Sequence, residues 1–361
     1  MSEIDYRAIK KGIIDSANFK LEDMNKLQVK TERMIDVMER TPEIFDELDR
    51  QFEEKTGLTG TDVVFLFLAT GLQMARQYLL SNEKYRLTSS QNDDLMKKGL
   101  NAVKTPPDWK KVLLSSVPYD ALGYNEGLSS PGLSGTNHRY RTLGHDPILG
   151  WIFGTANIMT SSLTKTDYST YEVANKIMTQ LYPLGTAGMI QNAVGFAAND
   201  PKLLVVSFLR QAVHFGSDYF TKQGLPVPML STINNDFVGD MITKWHIDMY
   251  SITRGATIAS FINTIIALIH SLFAMDVSET ERKLYEVRTR KILTYSNLIA
   301  TSTNVAIVAQ TYQWEKLDVG GIAVAIHRLI TDVKFIREVK EEFIIGTYKQ
   351  MFTGEIGEEI F

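Results

Sequence analysis

The chain of 361 residues contains no cysteine. Disulfide frameworks and thiolate metal sites are excluded, so any metal has to be held by imidazole nitrogen or carboxylate oxygen. Charge of one sign is also lacking: 38 Lys and Arg against 42 Asp and Glu leave a formal net charge of -4 at pH 7. That balance creates no field to gather nucleic acid, and no broad nucleic-acid binding is expected. There is no Walker sequence and no dinucleotide fingerprint, and Gly320-Gly321 is too isolated to cradle a phosphate. The opening Met-Ser-Glu-Ile-Asp-Tyr-Arg lacks the apolar core of a secretory signal, which leads to the expectation of a cytoplasmic chain. The longest apolar stretch, Ala256 to Met275, has about the twenty residues needed to cross a bilayer, yet Ser260, Asn263, Thr264, His270 and Ser271 interrupt it. A buried core helix is expected there, with any membrane contact peripheral.

Strand signals are scarce, because no series of alternating segments is separated by hairpin turns. What is present is helical periodicity. The expected fold is all-α: a multi-helix bundle in two helical lobes, with few or no strands. An N-terminal amphipathic region (1-115) precedes a central helical domain (116-276) and C-terminal helices packing on it (277-361). In the first region Ile9, Ile13, Ile14, Met34, Ile35, Val37 and Met38 recur at helical spacing among many charges, a pattern for packing and homo-oligomer formation. Thr41-Pro42-Glu43 and Gly60-Thr61-Asp62 open further helices. From Asn82 to Arg141 the periodicity weakens while turn formers gather at Pro106-Pro107, Gly123, Gly127, Ser129 to Gly132 and Ser134-Gly135. A long binding loop or lid is expected.

That loop delivers the chain into Asn137 to Leu163. Asp146-Pro147 carries a capping carboxylate followed by the residue favoured at a first helical position, so a helix is expected from Pro147. His138, Arg139, Arg141 and His145 then fall in its approach, where helix N–H groups favour anions. The two arginines suit a phosphoryl or carboxylate clamp, and Asp146 is a candidate catalytic acid. Gly150 and Gly154, four apart, form a flat strip for a close helix neighbour. Ser161 to Thr166 reads as a linker, and Tyr168 to Leu181 and Gly188 to Ala197 as helices.

Asn199-Asp200-Pro201 repeats the cap-plus-proline device and opens a helix to about Gln223. Apolar residues cover most of its circumference, which predicts burial. One narrow stripe remains, Ser207, Gln211, His214, Asp218 and Thr221, whose short polar groups suit an interior cavity. His214 and Asp218 are four apart and reach one ion, or simply bond to each other.

His138-Arg139, then His145, then His214-x-x-x-Asp218-x-x-Thr221-x-x-Gly224-Leu225-Pro226-Val227-Pro228 resembles the membrane-bound metal-dependent hydrolase family related to the zinc-dependent phospholipases C, over roughly 90 of the 361 residues. The resemblance implies that His138, His145, His214 and Asp218 hold a divalent metal, Zn or Mn, in a hydrolase of a small-molecule or lipid phosphoester. The family's upstream Asp-x-Asp-His is absent.

Downstream, Asp236, Asp240, Lys244 and Asp248 read as a solvated stripe, and His246 and His270 as core histidines. Ser278-Glu279-Thr280-Glu281 restarts a helix, and Ile326, Leu329, Ile330, Val333, Ile336 and Val339 give the last helix an apolar packing face. Two functions stand: a metal-dependent hydrolase at a membrane surface, and a non-catalytic helical scaffold.

Overall fold

A computed structural model describes residues 6–79, 87–102, 104–124, 133–135, 137–274 and 278–355. Gly127, Ser129 to Gly132 of the expected lid, and the side chains of Ile9 and Ile13, lie outside what is described. The fold is all-α with one small sheet. Among the described residues the helices are α1 (Tyr6–Glu39), α2 (Thr41–Lys55), α3 (Gly60–Leu79), α4 (Ser89–Ala102), α5 (Pro107–Leu113), α6 (His138–Arg141), α7 (Gly150–Thr160) and α8 (Gly185–Asn199). They continue with α9 (Pro201–Tyr219), α10 (Leu230–Ile233), α11 (Asn235–Thr243), α12 (Met249–Ser271), α13 (Glu279–Thr311) and α14 (Val319–Thr353). Two compact units form: 1–69 with 264–296 and 326–361, and 70–263 with 297–325. No consecutive region of the expected three coincides with a unit, because α3, α12, α13 and α14 each supply residues to both.

In the first unit, Val37, Ile44, Leu48 and Met351 form one core cluster, and Phe52, Leu284, Val287 and Val339 another. Ser278 caps α13 reciprocally: its backbone N–H donates to Glu281 Oε2 at 3.0 Å, and Glu281 N–H to Ser278 Oγ at 3.3 Å.

In the second unit, four strands lie in the order β1 (Gly123–Tyr124), β4 (Ile177–Leu181), β3 (Thr170–Ala174), β2 (Ser162–Thr164). The β1 and β4 pair is parallel and the other two are antiparallel. This corrects the helix expected over Tyr168 to Leu181. Asn175 and Lys176, at φ 51 and 64, form a two-residue left-handed turn that folds Thr170 to Leu181 into a hairpin. The sheet packs Leu163, Tyr171 and Met178 against Val117, Tyr119 and Ala121.

The expected long loop also needs correction, since it contains α4 and α5, both packed on α9. Pro106-Pro107 marks the start of α5. Helix α7 starts at Gly150, not Pro147, after a turn that Asp146 caps. The glycine strip does what its spacing suggests: a Cβ on Gly150 would lie 2.5 Å from the Phe215 ring, and one on Gly154 2.3 Å from Gln211.

Three helices leave exposed part of the apolar face expected to pack. On α9, Ser207, Gln211 and Asp218, with Thr221 just beyond its end, turn inward as expected, but Leu204, Val205, Phe208 and Leu209 are exposed. On α14, Ile326, Leu329, Ile330 and Val333 are exposed, whereas Ile336 and Val339 pack inward as expected. The buried face of α12 is Ala259, Asn263, Ile266 and His270, while Phe261, Ile265, Leu268 and Ile269 face outward. Only 22% of its most apolar window is buried, so it is not the core helix expected. Two of its polar side chains bond inside: Asn263 Oδ1 accepts from Gln73 and Asn297, and His270 pairs with Asp62 and Thr289. Met249–Ala274 and Glu279–Thr311 are each long and apolar enough to cross a membrane.

Candidate metal centre

Three short devices in the second unit bring the polar cluster together. A single 3₁₀ turn, Pro118–Asp120, presents Asp120, with Tyr119 fully buried beneath it. A second, Leu143–His145, presents His145. The inward stripe of α9 presents His214 and Asp218, one turn apart. Gln211 locks the three to each other: its Oε1 accepts from the Tyr119 hydroxyl and its Nε2 donates to the Gly144 carbonyl at 2.9 Å. Gly144 is required for the approach, since a Cβ there would stand 2.4 Å from the Tyr119 ring. The Tyr119 ring stands edge-on to His145 at 4.9 Å and to His214 at 5.4 Å, walling one side of the cluster with carbon.

The donor atoms converge. Asp120 Oδ1 is 3.1 Å from His145 Nε2 and 3.4 Å from His214 Nε2, and the two Nε2 atoms are 3.3 Å apart. Asp218 Oδ2 lies 3.3 Å and 3.1 Å from the same two nitrogens. Those contacts lack hydrogen-bond geometry, so among the described residues this buried carboxylate oxygen has no hydrogen-bond partner. Donors held about 2.0–2.2 Å from one ion stand roughly 3.0–3.5 Å from one another. Asp120, His145 and His214 converge as a set that fits a small divalent cation, with Asp218 Oδ2 beside both imidazoles but outside that set; imidazole and carboxylate donors without a thiolate suit Zn or Mn.

The outer contacts orient the rings. Thr142 Oγ1 donates to the His138 carbonyl at 2.8 Å, so toward His145 Nδ1, 2.7 Å away, it can only accept. His145 therefore carries its proton on Nδ1 and turns the Nε2 lone pair to the cluster. His138 does the same, donating from Nδ1 to the Ser134 carbonyl at 2.9 Å. Its Nε2 is 3.9 Å from Asp120, at the rim of the cluster and outside the converged set.

Burial depresses the basicity of His214, but the carboxylates of Asp120 and Asp218 outweigh it and push its pKa up to about 10. Burial likewise raises both carboxyls, and the charge of His214 overrides it, holding each well below the usual carboxylate range. His138 moves the other way, down to about 4, through burial and the neighbouring His145.

His145, His214 and Asp218 thus come together, and His138 borders them. The remaining sequence candidates act differently. Asp146 is buried away from the cluster: Oδ1 accepts from the N–H groups of Ile148 and Leu149, both at 2.9 Å, and Oδ2 from Met229 N–H. It caps this turn and ties it to Met229. Arg139 donates to Asp218 Oδ1 at 2.7 Å and to Thr221 Oγ1 at 2.6 Å, so two of its nitrogens hold these side chains in place. Arg141 lies by Asp236, 3.7 Å away. Asp120 was missed, because it sits in a stretch of weak periodicity and no local pattern links it to histidines distant in sequence.

A cavity of about 260 Å³ opens beside the cluster, lined by Asp120, His214, Asp218 and Arg139 together with Met96, Leu113 and Val213. No family model matches the chain, and no curated protein or solved structure matches it.

Proposed function

We propose that the chain is a metal-dependent hydrolase of a phosphoester or related ester, with Asp120, His145, His214 and Asp218 as the metal ligands. One observation carries this reading: two Nε2 atoms and two carboxylate oxygens lie at 3.1–3.4 Å across five pairs, and one of those oxygens is buried without a hydrogen bond. The resemblance to the membrane-bound metal-dependent hydrolases points to the same chemistry, with Asp120 supplying the upstream acid that the sequence pattern lacks.

A bound Zn or Mn supplies Lewis acidity and brings the pKa of water toward neutrality. The chain's own groups do the rest. Arg139 and Thr221 fix Asp218, Thr142 fixes His145, and Tyr119 keeps water from one face. His138, neutral and at the rim, accepts at Nε2 the proton of the attacking water. That water oxygen bonds to phosphorus, the ester P–O bond breaks, and the proton passes to the leaving oxygen.

A membrane surface suits the reaction. Ile148, Trp151 and Ile152 around the start of α7, and Val205 and Phe208 of α9, form an exposed apolar surface on the helices that build the site, with the Trp151 and Phe208 rings 5.0 Å apart. A lipid phosphoester is the substrate class that places its headgroup beside such a surface.

The test is metal analysis of the purified chain, with hydrolysis of a chromogenic phosphodiester in the presence of Zn or Mn. Stoichiometric metal, lost with activity in His214→Ala, supports the proposal. A chain that binds neither ion is instead a non-catalytic scaffold, a reading favoured by Phe19, Met24 and Leu27, exposed on α1 as a self-association strip.

A further inference from the structure

The first unit holds a second cavity, of about 720 Å³, with no counterpart in the chemistry above. It is large enough for a small amphiphile. Its wall is divided by character. Arg282, Glu286 and Arg290 of α13 and Arg328 of α14 supply charge, while Ala267 and Leu268 of α12 and Leu293 of α13 supply hydrocarbon.

The charges do not cancel. Arg290 grips Glu286 Oε1 through Nε at 2.9 Å and Nη2 at 2.7 Å. Its Nη1 also donates to Asp332 Oδ1 at 2.9 Å, and Arg328 is 3.5 Å from the other oxygen of that buried carboxylate. Two carboxylates thus offset two of the three guanidiniums. Arg282 is the third, and among the described residues its side chain has no hydrogen bond or ion pair. One uncompensated cation on a cavity wall selects a monoanion, and a guanidinium matches the two free oxygens of a phosphodiester.

The apolar side of the cavity continues into a surface that water does not favour. Leu268 lines the cavity and is itself exposed, as are Ile265, Ile269 and Leu272 along the same segment. Several polar groups of this unit bond inside it: His270 bonds Asp62 and Thr289, and Asp332 bonds Thr294 and Arg290. Along this segment His270 is turned inward while Ile265, Leu268, Ile269 and Leu272 face outward, an arrangement suited to hydrocarbon on the outer face. Basic pockets between apolar helices are where lipid headgroups lodge.

We propose that the first unit binds one anionic phospholipid, its phosphodiester at Arg282 in the cavity and its acyl chains along Leu268 and the exposed strip of α12. The site is separate from the metal centre and needs no activity there.

The experiment titrates the full-length chain, in non-ionic detergent, with phosphatidylglycerol, with phosphatidylcholine of the same chains, and with inorganic phosphate, counting bound lipid by native mass spectrometry. One phosphatidylglycerol should bind at least tenfold more tightly than phosphatidylcholine, and millimolar phosphate should not displace it. Arg282→Gln, an exposed change that breaks no contact, should erase the preference while leaving phosphatidylcholine binding unchanged. Leu268→Gln should weaken both lipids about tenfold. Equal affinity for the two lipids, or a preference that survives Arg282→Gln, overturns the proposal. Displacement by phosphate reduces the cavity to a soluble-anion site and overturns the lipid assignment.

Discussion

His145 Nδ1 donates to Thr142 Oγ1 at 2.7 Å, and that hydroxyl gives its own proton to the His138 carbonyl. The direction of one side-chain bond thus sets the tautomer of a ring whose other nitrogen is 3.1 Å from Asp120. Thr142→Val keeps the shape and removes the acceptor. Zn affinity should fall about 10–100-fold, the usual cost of losing a contact that orients a metal ligand, with little change in secondary structure. Competition titration against a chromogenic chelator measures it.

Asp120 and Asp146 separate the proposed ligand from the cap. Asp120→Asn should weaken Zn or Mn binding by more than about 100-fold, beyond the range of an orienting contact. Asp146→Ala should leave affinity within about threefold yet cost roughly 1–3 kcal/mol in denaturant unfolding, since three backbone N–H groups lose their acceptor. The reverse pattern would reassign the two residues.

The metal-free chain should be most stable near pH 6.5. His214, raised to about 10, binds more proton in the folded state, so its contribution is full below about 6.5 and is lost as pH rises toward 10. His138, lowered to about 4, binds less proton when folded, so stability rises between about pH 4 and 6.5. Urea midpoints across pH 4–10 test this, and His214→Gln should flatten the alkaline limb.

Metal has to displace the His214 proton. Binding at pH 7 should therefore release about one proton per ion, read as the dependence of calorimetric heat on buffer ionisation enthalpy. Heats independent of the buffer would show that His214 is not a ligand.

Gly144→Ala should distort the site from its edge. The added methyl meets the Tyr119 ring, and overpacking of this kind costs about 1–3 kcal/mol. Because the same turn presents His145, metal affinity should drop with stability, whereas Gly195→Ala, inside α8 with open space around it, should leave metal affinity unchanged and raise stability by about 0.5–1 kcal/mol.

Much of the helical layout was legible because its signals are local. Asp200 and Pro201 open α9, with the Asp200 side chain accepting from Lys202 N–H, and Ser278 with Glu281 opens α13. The polar stripe of α9 could be read from its spacing alone. The hairpin Thr170 to Leu181 escaped because Asn175-Lys176 is a weak turn pair, and its strands are chosen by packing on Tyr119 and Leu163.

The residues by themselves determined that no thiolate takes part, that the chain is helical, and that His138, His145, His214 and Asp218 are the groups to watch. Only tertiary structure decided which of them meet. It recruited Asp120 from a stretch without periodicity, withdrew Asp146 and Arg139 to supporting bonds, and turned the apolar faces of α9 and α12 outward. Helical periodicity reports that a helix has two faces, but which face is buried depends on the partners it packs against and the solvent on its other side.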